Sequence, residues 1–479
     1  MASIKLLKFL GEAPRITTEL LPDGAAQTAY NTKLYSGDLI PYRKPVFDRN
    51  IGRTGTIKTV YPLTSPTGTI NWLAWNTSVD IVKASLGDAF EDDEQRFYYT
   101  GDGPPKVSTY DLATSGAGPY PANNGFYQLG LPLPTVKPTT SVTAFNALTS
   151  VSFARDSANQ ATVVTNGPHG IKTGNIITIR DFTGTTPETF NSTNVTATVL
   201  SDTSVQYFNT GDNTSVTADT NGKVDLAGTT QARNYIYSWI TPWDEESIPS
   251  DPSETDFIKE GQVVTLNNLP TASPTIPAQN FIRGLRLYRT IPTASGTAYY
   301  KLTDAWYPVS VATVARSTNV ATVEFADYHN LAQGDRFKIS GCTDSSFNIT
   351  DGEVLSVTGN KTITYTNAGA DKATTADTSG KKYHDVAESS EDTARYFGDP
   401  ALTNPFHFVD DFLFTNLSVI LGSADNDAPP ENMQGLALAA NGVFVGFFGR
   451  MLICFEWGPV SYTHLRAHET SLHLVCRLL

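Results

Sequence analysis

Helical periodicity is almost absent from this sequence. Short runs of Val, Ile, Thr, Tyr and Phe, broken by Gly, Pro, Asn and Asp, recur along it instead. Thr56–Tyr61, Arg96–Tyr99, Ile176–Ile179, Asn234–Ile240 and Gly284–Tyr288 are examples. A chain patterned this way buries its apolar side chains by pairing strands, so the expected fold class is all-β. At most one short helix is expected, around Gly24–Asn31 (GAAQTAYN), with Ser/Thr-rich connectors elsewhere.

Composition excludes several function classes. Hydrophobic residues make up 40% and aromatics 11% of 479 residues, which is too apolar for a disordered chain and long enough for several domains. The net charge of −14 argues against a protein that binds nucleic acid by neutralising phosphates, so no sequence-specific nucleic-acid partner is expected. Cys342, Cys454 and Cys476 cannot form a disulfide framework and lack the close pairing of a zinc site. The apolar run near Lys5 and Lys8 ends at Gly11, Glu12 and Pro14, too early for a signal peptide, and no export signal is expected. Gly435–Trp457 is apolar, but Asn441-Gly442, Gly446, Gly449 and Arg450 interrupt it and Val443-Phe444-Val445 favours strand, so no membrane span is expected.

An internal repeat organises the middle of the chain. ATVVTNGPHGIKTGNIITI (Ala161–Ile179) matches ATVEFADYHNLAQGDRFKI (Ala321–Ile339), with His169 and His329 at an offset of 160. Phe190-Asn191 then pairs with Phe347-Asn348, Tyr207 with Tyr365, Asn209 with Asn367, and ADTNGK (Ala218–Lys223) with ADTSGK (Ala376–Lys381). No second His, Cys or clustered carboxylate accompanies either histidine, so neither metal nor other cofactor is expected. His169 and His329 are expected to hydrogen-bond turn backbone ahead of Gly174 and Gly334, and the Phe-Asn pairs to place a core aromatic before a turn residue.

Between the copies, NYIYSWITPWDEESIPSDPSET, VVTLNNLP and GLRLYRTIPTASGTAYYKLTDA read as a compact β-sandwich. An aromatic strand (Tyr235, Tyr237, Trp239) leads into an acidic corner ending at Pro249 and Pro252. Tyr237, Trp239, Trp243, Tyr299 and Tyr300 are candidate flat faces for a glycan or protein partner; the competing reading places them in the sandwich core.

Other motifs read as structure. There is no G-x-S-x-G elbow, P-loop, H-E-x-x-H or dinucleotide fingerprint, so no enzyme is expected. GDGPP (Gly101–Pro105) reads as a turn. Glu91-Asp92-Asp93-Glu94 offers calcium-binding or paired-acid chemistry on paper, yet consecutive carboxylates in a turn read better as a solvated loop. Asp425-Asn426-Asp427 with Glu431 reads as a surface loop, and Asn191-Ser192-Thr193 as a chance sequon.

Several stretches resemble known families. The repeat, with its HG…TG turn and later FN pair, resembles a β module of phage tail and fibre proteins, and the intervening sandwich looks fibronectin type III-like. GEAPRITTELLPDGAAQTAYNTKLYSGDLIPYRKP (Gly11–Pro45), INWLAW (Ile70–Trp75), VDIV (Val79–Val82), RFYYTGDGPPKVSTYD (Arg96–Asp111), YQLGLPLP (Tyr127–Pro134) and APPENMQGLALAANGVFVGFFGRMLICFEWGP (Ala428–Pro459) are similar, in order, to tailed-phage tail structural proteins with a β-propeller-like body. VSYTHLRAHETSLHLVCRLL (Val460–Leu479) resembles a translated sequencing adapter.

The resemblance implies a split propeller-like body, 1–135 and 384–459, carrying a first β module (140–225), the fibronectin-like sandwich (226–308) and a second module (309–383), with 460–479 adapter-derived. It implies a virion structural protein at the tail tip, nozzle or hub, made in the bacterial cytoplasm. Expected partners are other tail proteins and further copies in a homo-oligomeric ring. A different reading has the inserted modules bind a host-surface glycan or receptor.

Overall fold

The computed structural model describes residues 8–33, 40–42, 44–65, 67–83, 94–143, 148–182, 187–227, 230–259, 262–275, 279–293, 296–386, 395–410, 421–422, 428–438, 444–455 and 462–465. The chain divides into two units, 1–52 and 53–479. The described residues are overwhelmingly strand, turn and connector, so the fold class is all-β.

In the first unit, structure is minimal. Gly11–Glu12 pairs in parallel with Ala25–Ala26, and Thr32–Lys33 antiparallel with Ile40–Pro41. The helix expected over Gly24–Asn31 is therefore absent. Gly24 sits at φ +90°, and backbone bonds from Leu10 N–H to Gly24 O and from Ala13 N–H to Ala26 O take acceptors that a helix would need. The described α-helix lies elsewhere, a single turn at Tyr110–Ala113 in which Thr109 Oγ1 accepts from the Leu112 N–H.

In the second unit, each repeat copy is a closed β-barrel. In the second copy, Val309–Ser317 pairs with Val320–Phe325, which pairs with Thr362–Thr366, then Ile349–Thr358, Arg336–Ser340 and Lys381–His384, which returns to Val309–Ser317. The first copy follows the same order, with its long strand split into Ser192–Thr196 and Thr198–Ser201 around Ala197. Closure leaves no open sheet edge within the ring, and inward side chains fill each interior as a separate core.

Tyr235–Ile240, Gly284–Thr293 and Gly296–Trp306 form one sheet of the sandwich. The facing sheet is built from distant segments: Val264–Asn267 pairs with Thr139–Val142 on one side and Phe408–Asp410 on the other. The sandwich thus extends beyond 226–308, and residues after 383 enter it, because Val386, Phe397 and Phe408 belong to its core. Its outer edge is sealed by a serine ladder. Ser247, Ser250 and Ser253 pair with Trp239, Tyr237 and Tyr235 through both backbone N–H and side-chain Oγ. Pro249 and Pro252 fall between these contacts, where a missing N–H leaves no gap.

The remaining strands form meanders. Asp80–Lys83, Phe97–Thr100, Lys106–Ser108 and Tyr127–Gln128 make a four-stranded antiparallel sheet, preceded by the Thr59–Thr64 and Ile70–Trp75 hairpin. Gln434–Leu438, Phe444–Phe448 and Met451–Phe455 make another, with Tyr462–Leu465 as its fourth strand. That last strand falls in the adapter-like stretch; a ladder needs only backbone N–H and C=O groups, which any sequence without proline supplies. Tyr98, Val107 and Leu129 share one core with Met433, Phe444 and Ile453, so early and late segments pack as one body. Among the described residues no helix is long and apolar enough to cross a membrane.

Candidate functional site

The structure separates the five aromatic candidates. Tyr237 and Trp239 are 0% and 5% exposed in the sandwich core, so their ring faces are covered. Tyr299 and Tyr300 are half-buried on the hairpin strand Gly296–Trp306. Trp243 leaves the sandwich and joins a junction of three modules.

That junction is built around Glu94. Its carboxylate accepts from Trp243 Nε1 at 2.9 Å and from Asn360 Nδ2 at 2.6 Å, tying the meander body, the sandwich and the second barrel together. Glu94 is thus a cross-link and not part of a solvated loop; Glu91, Asp92 and Asp93 lie outside the described residues. Around it Tyr127 stacks on Phe281 with centroids 4.4 Å apart, Trp243 tilts against Phe281 at 4.4 Å, and Tyr328 meets Phe281 edge-on at 4.9 Å. The Arg96 guanidinium lies 5.1 Å from the Trp243 ring, and Arg283 binds Asp327 at 2.5 Å. Burial pushes the Glu245 carboxyl up to about 7, with Arg96 drawing it back down. Above these rings lies a cleft of about 600 Å³ whose walls include Tyr110, Asp111, Tyr127, Trp243, Tyr328 and Lys361. Aromatic faces beside hydrogen-bonding groups are what a sugar or peptide ligand uses.

The acidic corner is likewise consumed internally. Arg286 reaches Asp304 at 2.7 Å, Asp244 at 2.7 Å and Glu246 at 3.1 Å, while Glu246 also accepts from Ser238 and Tyr288. Gly101–Pro105 forms a turn, with Gly101 at φ +94°.

The repeat histidines are buried inside their turns. His169 Nδ1 accepts from Ile171 N–H at 3.0 Å and Nε2 lies 3.0 Å from Ser201 O; His329 does the same with Leu331 N–H at 3.0 Å and Gly359 O at 3.3 Å. An accepting Nδ1 fixes the neutral tautomer with the proton on Nε2. Burial holds His329 down at about 4. Gly174 and Gly334 sit at φ +97° and +89°, a left-handed conformation suited to glycine. The Phe-Asn pairs also acquire partners: Phe190 and Phe347 are fully buried, while Asn191 and Asn348 accept from the N–H groups of Phe182 and Cys342.

Three features escape the sequence reading. Arg155 and Arg316 occupy matching places, each over the buried phenylalanine (4.2 and 4.4 Å) and bonded to Asn209 or Asn367. The second concerns core positions that differ between the barrels. Val224 and Leu226 pair with Ile179 and Ile177, and the corresponding strand of the second barrel places Lys382 and His384 opposite Ile339 and Phe337. Lys382 is fully buried, donates to His329 O at 2.6 Å, and is held down at about 7 by burial. Burial and the neighbouring Lys382 hold His384 at about 3.

The third feature is Asp410, fully buried in the sandwich. It is bound by Arg289 at 2.8 Å, Arg233 at 3.1 Å and the Tyr235 hydroxyl at 2.7 Å. Among the described residues no group of three or more His, Cys, Asp or Glu side chains could hold a metal ion.

No protein-family model matches the chain, and no curated protein matches it. Among solved structures, the phage phi92 endosialidase aligns over 88% of this chain and 93% of its own at 9% identity with a TM-score of 0.14, a likeness too slight to bear on fold or function. Fold and site together define a multi-module, all-β protein whose modules are joined by polar cross-links.

Proposed function

We propose that the chain is a structural component of a tailed-bacteriophage virion, a tail tip, nozzle or hub protein acting in tail assembly, with a mechanical and not a catalytic role. The observation that carries the reading is the shared sheet Thr139–Val142, Val264–Asn267 and Phe408–Asp410, clamped by Asp410. Segments flanking both barrels are strands of one sandwich, so the inserted modules are anchored at both ends. That construction suits a part that transmits load. The ordered resemblances over Gly11–Pro459 supply the phage context, and a net charge of −14 suits a wall past which DNA moves without sticking.

The test is an amber mutation in the gene. Particles made without the protein should have filled heads and incomplete tails; complete, infectious tails would contradict the reading. A second reading, binding of a host-surface glycan through the modules, draws support from the aromatic cleft at Trp243. A glycan array probed with the full chain, and with Trp243→Ala as control, tests it: array signal that disappears in the variant supports it, and signal that persists counts against it.

A further inference from the structure

The described residues of 8–52 are unusually exposed for a folded segment. Tyr30 is 86% exposed, Val46 88%, Phe47 80%, Leu20 76% and Leu10 56%, whereas Phe9 is the buried large hydrophobic among the described residues of this unit. Ordering a chain costs conformational entropy at every residue, and two-residue ladders with one buried ring cannot offset that over this length. The segment therefore needs a surface to lie on. A run of exposed aromatic and aliphatic side chains outside regular structure marks an interaction element.

Charge points to the partner. Residues 1–52 hold seven Lys and Arg against five Asp and Glu, leaving 27 and 43 for the rest, a net of +2 against −16. Within Tyr42–Arg49 the exposed Tyr42, Val46 and Phe47 stand beside Arg43, Lys44 and Arg49 against one acid, Asp48, which Arg49 binds at 2.8 Å. A basic, apolar strap is complementary to an acidic protein, and this chain's own residues 53–479 are such a protein.

We propose that residues 8–52 are a docking arm through which one copy of this chain binds the acidic 53–479 unit of a second copy. The inference deepens the assembly role proposed above by naming one partner and the element that holds it.

The experiment is light scattering on the full chain after size exclusion, in low and high salt, comparing wild type with Val46→Asp/Phe47→Asp and with Lys33→Glu/Lys44→Glu. Wild type should elute as a multimer that weakens in high salt. Val46→Asp/Phe47→Asp should fall to the monomer mass with an unchanged far-ultraviolet circular dichroism spectrum, since both side chains are exposed. The charge-reversed variant should dissociate at lower salt than wild type. A monomeric wild type at tens of micromolar, or a multimer indifferent to both variants, overturns the proposal. If Val46→Asp/Phe47→Asp loses the wild-type far-ultraviolet circular dichroism spectrum, the two residues are packed within the subunit and the proposal also fails. An arm that fails here leaves the virion reading intact, because that reading requires docking to other tail proteins and not to a second copy.

Discussion

Asp410 is the carboxylate that two fully buried guanidiniums share. Two guanidiniums, Arg289 and Arg233, face it at 0% and 2% exposure. Asp410→Asn strips their counter-charge and should cost about 3–5 kcal/mol in urea unfolding; a loss below about 1 kcal/mol would show that the pair is not desolvated. Lys382 makes the opposite prediction. Its folded-state value of about 7 lies below the ordinary 10.5, so between those pH values the unfolded chain binds the extra proton and stability should rise with pH. His329, at about 4 against 6.5, adds a second rise over that lower window. Lys382→Met should stabilise by about 1–3 kcal/mol at pH 7 and flatten the 7–10 window, read from melting temperature against pH. An unchanged slope in that window would place the titrating group elsewhere. None of this was legible locally. Asp410 lies 177 residues from Arg233. The Lys382 substitution falls just after the matched ADTNGK and ADTSGK blocks, where the copies diverge.

At the scale of elements, the repeat was the most readable feature because two copies report on each other. His169 and His329 keep the same backbone partners, so their spacing carried real geometric information. Arg155 and Arg316 were hidden because they stand 161 residues apart, not 160, across a hairpin that differs by one residue. The strand Tyr235–Ile240 explains why the aromatic candidates could not be sorted. It is buried on both faces, so alternation says nothing about which ring meets solvent. The second barrel's core is formed within its own strands, so a 309–384 fragment should fold alone, with a β-type circular dichroism spectrum and a cooperative melt. A spectrum without a transition would mean that its contacts to Asp399 and Tyr396 are obligatory. Glu94→Ala should leave that barrel folded while hydrogen exchange rises at 326–328 and 358–361, the segments that line the junction.

For the whole molecule, strand pattern was enough to give the all-β class, but not the way the modules are wired. The second sheet of the sandwich recruits segments more than 100 residues apart, and such pairings leave no periodic trace in a single sequence. The helix expected at Gly24–Asn31 illustrates the same limit: local alanine content favoured a helix, and strand pairing with Gly11–Glu12 prevailed. This wiring makes a β framework anchored through its insertions, and the place proposed for that framework is the virion tail. Mass spectrometry of gradient-purified phage particles tests that claim most directly. The account predicts peptides from residues 53–410 among the tail proteins, at a stoichiometry comparable to other tail components. Their absence from purified particles, with the protein abundant in the infected-cell lysate, would contradict it.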